Sequence, residues 1–319
     1  MHQKITPRGA GIGIVFGVIV SDLLLLNTLV YTHLATFIAI FLVFIVGILD
    51  DHRDTKPKTK FIVIILATLL IYSDDIVIRS LGHLFGYEIP LGWFALPFTI
   101  FAVTGFTNAL NLSDGLDGLA ASISIIILGT LALIGYHYED PFILSLSLSF
   151  IAALCAFLWF NWNPAKIFMG DSGSLTLGFV IAVLAIKSLS YIQPSTILFI
   201  AAIPIMDTII VMIRRKRNKK SIFSPDKTHI HHILLKFFDG HVKKSVGVII
   251  MMQLLFSLMG FDFTDYPKQR FILLLFVLNT AIFYVFLTGM LTRQNKFSYY
   301  RKIKRKQSLK IKNNLNAKG

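Results

Sequence analysis

The chain has a single cysteine, Cys155, in 319 residues. A disulfide framework is therefore excluded. The position of Cys155 inside an apolar run makes a packed core thiol the expectation. Charge is scarce too: 15% of residues are Asp, Glu, Lys or Arg, while 55% are hydrophobic and 28 are Phe. A soluble globular domain of this length is not expected to be so apolar. Acids are the scarcer sign, 17 against 31 Lys and Arg, for a formal net charge of +14. Nucleic acid is not the implied partner, because the basic residues fall in blocks between or after apolar runs, where membrane orientation and anionic lipid explain them. No cleavable signal peptide is expected, since the first apolar run continues into a full span. Internal repeats of the kind that build transporter halves are also lacking.

What the chain has in quantity is apolar runs of bilayer-spanning length. Candidate spans cover about 10–30, 34–49, 61–79, a run through 94–103, then 119–136, 142–160, 175–192, 196–213, 246–261 and 270–291. The expected fold class is an all-α polytopic membrane protein of about ten transmembrane helices. Residues 1–292 form one transmembrane domain, and 293–319 form a basic tail that touches lipid or stays disordered. Lys and Arg crowd the N-terminus (Lys4, Arg8), 50–60, 214–244 and the tail, whereas the loops near 31, 74–92, 137–140, 188–195 and 262–269 are short or contain acids. The positive-inside rule puts the basic side, and both termini, in the cytoplasm.

Four polar stretches fall on that basic side. The richest is GFTNALNLSDGLDGLA, Gly105 to Ala120, where Asn108, Asn111, Asp114 and Asp117 recur every third residue. On a helix these share roughly one face, and Gly115 and Gly118 are expected to loosen it near the two aspartates. Polar groups at the end of a membrane helix are costly, and hard oxygen donors suit a magnesium ion holding a phosphate. A polar helix end that merely meets water accounts for one or two such residues, not for two Asn, two Asp and two Gly within eleven. Asp50 and Asp51 sit where a span meets the cytoplasm; paired carboxylates can share protons or bind metal, or be ordinary loop acids near Arg53, Lys56 and Lys58. FMGDSGS, Phe168 to Ser174, sets Asp171 between glycines that let backbone approach a ligand. The N–H groups of the helix expected from Leu175 suit a phosphate, with Asp171 or Ser172 as its N-cap. His229, His231 and His232 lie in the basic loop 214–244. No Cys or close carboxylate completes a zinc site there, so hydrogen bonding to charge is the simpler use. Asp207, after Pro204, either lines the site or caps a broken helix.

Together DDHRD, NALNLSDGLDGLA, FMGDSGS and HIHH, in order over nearly the whole chain, resemble the polyprenyl-phosphate N-acetylhexosamine-1-phosphate transferases. TPRGAGIGI is similar to the segment that follows the first transmembrane helix in O-antigen and capsule initiators, so a first helix is expected to be absent here. The resemblance implies transfer of an N-acetylhexosamine 1-phosphate from a UDP-sugar to undecaprenyl phosphate, with release of UMP. It implies an enzyme of the bacterial inner membrane, with its active site facing the cytoplasm, starting a cell-surface glycan. It also implies Mg²⁺, with Mn²⁺ as a substitute, held by Asp171 with Asn111 as a second ligand. Asp50 or Asp51 is then the base or the group orienting the lipid phosphate, with Lys60 a candidate for that phosphate too. Asn108, Asp114, Asp117, Asn161 and Phe168 fall on the nucleoside side, Phe168 placed to stack on uracil; His229, His231 and His232 fall to the diphosphate or sugar. The resemblance allows a homodimer. Alternatives are the phospho-N-acetylmuramoyl-pentapeptide translocase, which usually carries three consecutive histidines where HIHH stands, and a catalytically idle membrane scaffold. A transporter with mid-span charges fits the sequence less well, because the acids cluster at span ends.

Overall fold

The computed structural model describes residues 6–84, 86–221, 228–266 and 268–316, with side chains described no further than Arg293. Its chain runs through α1 (Ala10–Leu25), α2 (Asn27–Thr32), α3 (Leu34–Arg53) and α4 (Pro57–Ser73) to a small hairpin, β1 (Ser80–Leu84) and β2 (Tyr87–Pro90). It continues through α5 (Ala95–Ser113), α6 (Leu119–His137), α7 (Pro141–Asn161), α8 (Asp171–Ser188), α9 (Pro194–Ile200), α10 (Ala202–Arg217), α11 (Ile230–Phe237), α12 (Val242–Asp262) and α13 (Gln269–Asn316). Among the described residues seven helices are long and apolar enough to cross a membrane, or eight if the bent pair α9 and α10 is one span. This is a multi-pass helical membrane protein, since helices satisfy their own backbone groups where water is absent.

The expected straight spans fail at three places. The run 10–30 breaks at Leu26 into a helix of 16 residues and one of 6. The run 61–79 is helical only to Ser73, then turns through Asp74 and Asp75 into the hairpin. The run 196–213 bends by 91° between α9 and α10. That bend frees backbone groups at Ile200 and Ile203, and α12 takes them up. Gln253 Oε1 accepts the Ile203 N–H at 3.1 Å, while Gln253 Nε2 and the Ser257 hydroxyl donate to the Ile200 carbonyl at 2.8 and 2.9 Å. Both side chains are fully buried, so the break is a satisfied feature of the fold.

Helix α8 is the core, with α1, α3 and α5 packed around it. Three glycines let these neighbours approach its backbone. A Cβ at Gly11 would lie 2.1 Å from the Gly173 N, one at Gly47 would lie 2.5 Å from the Ser172 Cα, and one at Gly178 would lie 2.9 Å from the Thr107 Cα. Lipid tails are as apolar as leucine, so helices in a bilayer associate through such close packing of small residues. Trp93 lies in the turn Gly92–Phe94 before α5 and Trp159 in the last turn of α7; they are 88% and 83% exposed, at opposite ends of the bundle, as expected of membrane-interface aromatics. Cys155 is exposed on α7 rather than packed in the core. Its neighbours Leu154 and Phe157 take the buried face, which the all-apolar sequence of α7 could not indicate. Helix α13 runs unbroken across residues 292 and 293 to Asn316. The side chains of the basic tail from residue 294, and Lys4 and Lys227, lie outside the described residues.

Candidate active site

The C-terminal ends of α3, α5 and α7 meet the N-terminal ends of α1 and α8 at one end of the bundle. The stretch between α5 and α6 unwinds there: α5 stops at Ser113, α6 starts at Leu119, and Gly118 takes φ +77°, which favours glycine. A cleft of about 1250 Å³ opens among these ends, lined by Asp51, Asn111, Asp114, Asp117, Phe168 and Asp171 together with residues of the N-terminal segment and of α11–α12.

Helix α8 begins at Asp171, four residues earlier than the sequence indicated, with Gly170 as N-cap. Neither Asp171 nor Ser172 is its cap. Asp51, 120 residues away, supplies that function: Oδ1 accepts the Asp171 N–H at 2.7 Å, and Oδ2 accepts the Ser172 N–H at 3.0 Å and its hydroxyl at 2.6 Å. A carboxylate at a helix N-terminus satisfies orphan donors and suits the helix dipole. These N–H groups are therefore not free for a phosphate. Gly170 makes the contact feasible, because a Cβ there would lie 2.6 Å from the Asp51 carboxylate.

With its backbone N–H engaged by Asp51, the Asp171 side chain turns to Lys60. The Lys60 ammonium donates to Asp171 Oδ2 at 2.6 Å and to Asp50 Oδ2 at 2.8 Å, bridging the two carboxylates. Asp50 Oδ1 accepts the Thr55 N–H and hydroxyl at 2.8 and 2.6 Å. An ammonium has three donors, so Lys60 keeps one for a ligand. Asn111 Nδ2 donates to Asp171 Oδ1 at 3.2 Å and to the Ser174 hydroxyl at 2.8 Å. Asp114, half-buried at the end of α5, has its pKa pushed up to about 7 by burial and then by Asp171, Asp117 and Asp51. Here carboxylates crowd one another beyond what Lys60 offsets, the electrostatic setting a cation relieves. Among the described residues no three His, Cys, Asp or Glu side chains converge as a metal cage. Magnesium does not require one, since it commonly binds through one or two carboxylates plus waters and substrate phosphates. Asp171 and Asn111, adjacent and oxygen-bearing, fit such an ion.

Other candidates knit the site's loops. Asn161, buried, accepts the Gly118 N–H at 2.8 Å and donates to the Ile167 carbonyl at 2.8 Å. Asp117 Oδ2 accepts from Asn163 Nδ2 and the Ala165 N–H at 2.8 and 3.0 Å. Phe168 lines the cleft and is fixed by backbone: its N–H donates to the Pro7 carbonyl, and its carbonyl accepts the Ala10 N–H. Asn108 sits one turn before Asn111 on α5, outside the cleft lining.

The histidine loop is built on Asp207, whose role the sequence left open. One oxygen accepts the Ile230 N–H at 2.8 Å, capping α11, and the other pairs with His229 Nδ1 at 2.8 Å. Both partners are buried, so Asp207 fixes where HIHH sits. His231 reaches Gly115, where a Cβ would lie 2.3 Å from Nε2. Burial, and then His232, push the His231 imidazole down to about 4, leaving it neutral near pH 7. The three histidines, Asp50 and Lys60 do not line the main cleft.

Sequence reasoning missed Arg8, which lines the cleft, and the Asp51 and Asp207 caps. Arg8 had a signal, an arginine set in the turn-rich TPRGAG; the caps join residues too far apart in sequence to give one.

A family model described as glycosyl transferase family 4 matches residues 33–189. A Bacillus subtilis protein named as a probable undecaprenyl-phosphate N-acetylglucosaminyl 1-phosphate transferase is 40% identical over 266 residues, covering 81% of this chain and 73% of its own. The Yersinia pestis undecaprenyl-phosphate alpha-N-acetylglucosaminyl 1-phosphate transferase is 33% identical over 79% of this chain and 71% of its own. The Escherichia coli K12 protein of the same name is 31% identical over 79% and 70%. With the matched residues spanning α3 to α8, and so both the Asp50–Lys60–Asp171 bridge and the Asp51 cap, this chain belongs to glycosyl transferase family 4.

Proposed function

We propose that this protein transfers an N-acetylhexosamine 1-phosphate, with N-acetylglucosamine the first candidate, from its UDP-sugar to undecaprenyl phosphate, releasing UMP. The reaction would be the first membrane step of a cell-surface glycan, at the cytoplasmic face of the bacterial inner membrane. The observation that carries the reading is the bridge Asp50–Lys60–Asp171 beside Asn111, at the edge of a cleft wide enough for a nucleotide sugar. The names of the relatives support undecaprenyl phosphate as acceptor and N-acetylglucosaminyl 1-phosphate as the group transferred.

On this reading Mg²⁺, or Mn²⁺ in its place, would be held by Asp171 and Asn111 and would neutralise charge on the departing UMP. The chain's own residues do the rest. Lys60, fixed between two carboxylates, turns its remaining N–H toward the lipid phosphate. An oxygen of that phosphate attacks the β-phosphorus of the UDP-sugar; the bond from that phosphorus to the bridging oxygen breaks, and UMP leaves with the electron pair. A phosphate monoester is largely ionised near pH 7, its second pKa being about 6, so no strong base is required. That suits Asp50, whose oxygens are already engaged by Thr55 and Lys60, as the residue that positions Lys60. Phe168 offers a ring face for uracil, and neutral His231 has one ring N–H to donate.

The test is UMP release by purified protein given undecaprenyl phosphate and, in turn, the UDP forms of GlcNAc, GalNAc, QuiNAc and FucNAc. Release with at least one donor, lost with EDTA and restored by Mg²⁺, is expected. No release from any donor by protein that elutes as a folded species would overturn the reading.

A further inference from the structure

The Arg8 side chain stands in the cleft wall without a partner among the described residues. The N-terminal segment docks along the loop before α8. Arg8 pairs with Phe168 in a short parallel bridge, the Phe168 N–H donates to the Pro7 carbonyl at 2.9 Å, and the Gly11 N–H donates to the Met169 carbonyl at 2.9 Å. Gly11 against Gly173 locks the same segment to α8. The backbone of Arg8 is thus fixed, while its side chain makes no hydrogen bond or ion pair among the described residues. Lys166, the other cationic residue of the lining, is in the same position. Three of the four lining carboxylates are engaged: Asp51 holds the start of α8, Asp117 holds Asn163 and Ala165, and Asp171 holds Lys60 and Asn111, while the fourth, Asp114, is crowded by these three. The cleft therefore carries two cations that no carboxylate among the described residues engages. What complements the unmatched pair is an anion, and a guanidinium on an anchored backbone is suited to two oxygens of one phosphate.

We propose that Arg8, with Lys166 beside it, binds phosphate oxygens of the substrate in the cleft, a contact that fixes where the reacting phosphate lies. The inference rests on the transferase reading above. Because Arg8 is bonded alongside Phe168, the nucleotide diphosphate is the phosphate at hand. The acceptor lipid's phosphate has the same chemistry, and the experiment separates the two.

Inhibition constants of uridine, UMP and UDP, and the KM for undecaprenyl phosphate, are measured on the full chain and on Arg8→Met, Arg8→Lys and Lys166→Met. Losing a charge-assisted bond should weaken UMP and UDP about 10- to 100-fold in Arg8→Met, with uridine changed less than about twofold. Arg8→Lys should recover part of the loss, because it keeps the charge without the planar fork. Normal nucleotide binding with a raised lipid KM still makes Arg8 a phosphate ligand and assigns it to the acceptor. Unchanged constants for UMP, UDP and lipid phosphate overturn the proposal. So does an equal loss of uridine and UDP, since a merely disturbed cleft loses the nucleoside as well. A wild-type protein that turns over normally in the same assay confines either failure to Arg8; a wild-type protein that binds no nucleotide and releases no UMP removes the transferase reading itself.

Discussion

Asp51 and Asp171 are separated by a single hydrogen bond, yet their substitutions should differ in kind. Asp51 acts on the backbone of α8. Asp51→Ala should lower the thermal midpoint by the worth of a lost helix cap, about 0.5–2 kcal/mol, and slow turnover only through the displaced Asp171. Asp171→Asn keeps the fold and offers a hard cation an amide in place of a carboxylate. UMP release should fall about 10³-fold with the midpoint within about 2 °C of wild type. Near wild-type release in Asp171→Asn would remove it from the proposed ion site. Titration gives a second residue-level test. Asp114, raised from 3.8 to about 7, keeps its proton in the folded chain while the unfolded chain loses it, so its contribution is lost as pH rises from about 4 to 7. His231, lowered from 6.5 to about 4, stays neutral in the folded chain while the unfolded chain takes up a proton, so its contribution is lost as pH falls through the same window. The two slopes oppose. Relative to wild type without Mg²⁺, the thermal midpoint of Asp114→Asn should rise more steeply with pH between 4 and 7, and that of His231→Gln less steeply. Parallel curves for all three proteins would show that neither group is held as the geometry indicates.

Elements explain why some of this was readable in sequence and some was not. The unwinding between α5 and α6 was legible, because Gly115 and Gly118 interrupt a period-three polar row. Asp171 and Asn111 were legible as oxygen donors at helix ends. The bend between α9 and α10 was legible only as an alternative: Pro204 and Asp207 allowed a broken helix, but the break falls at Ala201, and what makes it tolerable is Gln253 and Ser257 on α12, some fifty residues later. The early start of α8 escaped for the same reason, since its cap comes from α3. Asp207 looked ambiguous until α11, absent from the hydrophobicity pattern, proved to begin on its carboxylate. Local pattern fixes what one helix contributes, and long-range pairing decides what that contribution is for. Gly47 illustrates the point: it reads as an ordinary glycine in an apolar run, yet it is where α3 passes against the backbone of Asp171 and Ser172. Gly47→Ala should destabilise by about 1–3 kcal/mol and shift Asp50 and Asp51 off the start of α8. Gly129→Ala, with nothing within 4 Å of its added methyl, should be neutral or stabilising. Equal thermal midpoints for the two variants would refute close packing as the device that seats α8.

At the scale of the molecule, charge and geometry can be set against each other. The cleft lies at the end where α3, α5 and α7 finish and α8, α11 and α12 begin. The same end carries Arg53, Lys56 and Lys58, the run Arg214–Arg217, and Lys243 and Lys244, whereas at the far end Arg79, Lys187, Lys268 and Arg270 are outnumbered by Asp74, Asp75, Glu88, Glu139, Asp140, Asp262 and Asp265. Translocation disfavours Lys and Arg in short loops, so the cleft end should face the cytoplasm. That orientation is also what the proposed chemistry needs, because a nucleotide sugar is a cytoplasmic metabolite with no route across the bilayer. Cysteine labelling tests both at once. Cys155, exposed on the lateral face of α7, is first replaced by alanine. Single cysteines then go in at Lys219 on the cleft end, and at Glu88 and Glu139 on the far end. In intact cells an impermeant maleimide should label 88 and 139 and spare 219, and permeabilisation should make 219 reactive. Labelling of 219 from outside, with 88 and 139 protected, would invert the protein, leaving the cleft facing the wrong compartment for a UDP-sugar and requiring another substrate. Reactivity of all three sites in intact cells would instead show a mixed topology, against the orientation that the basic bias of the cleft end favours.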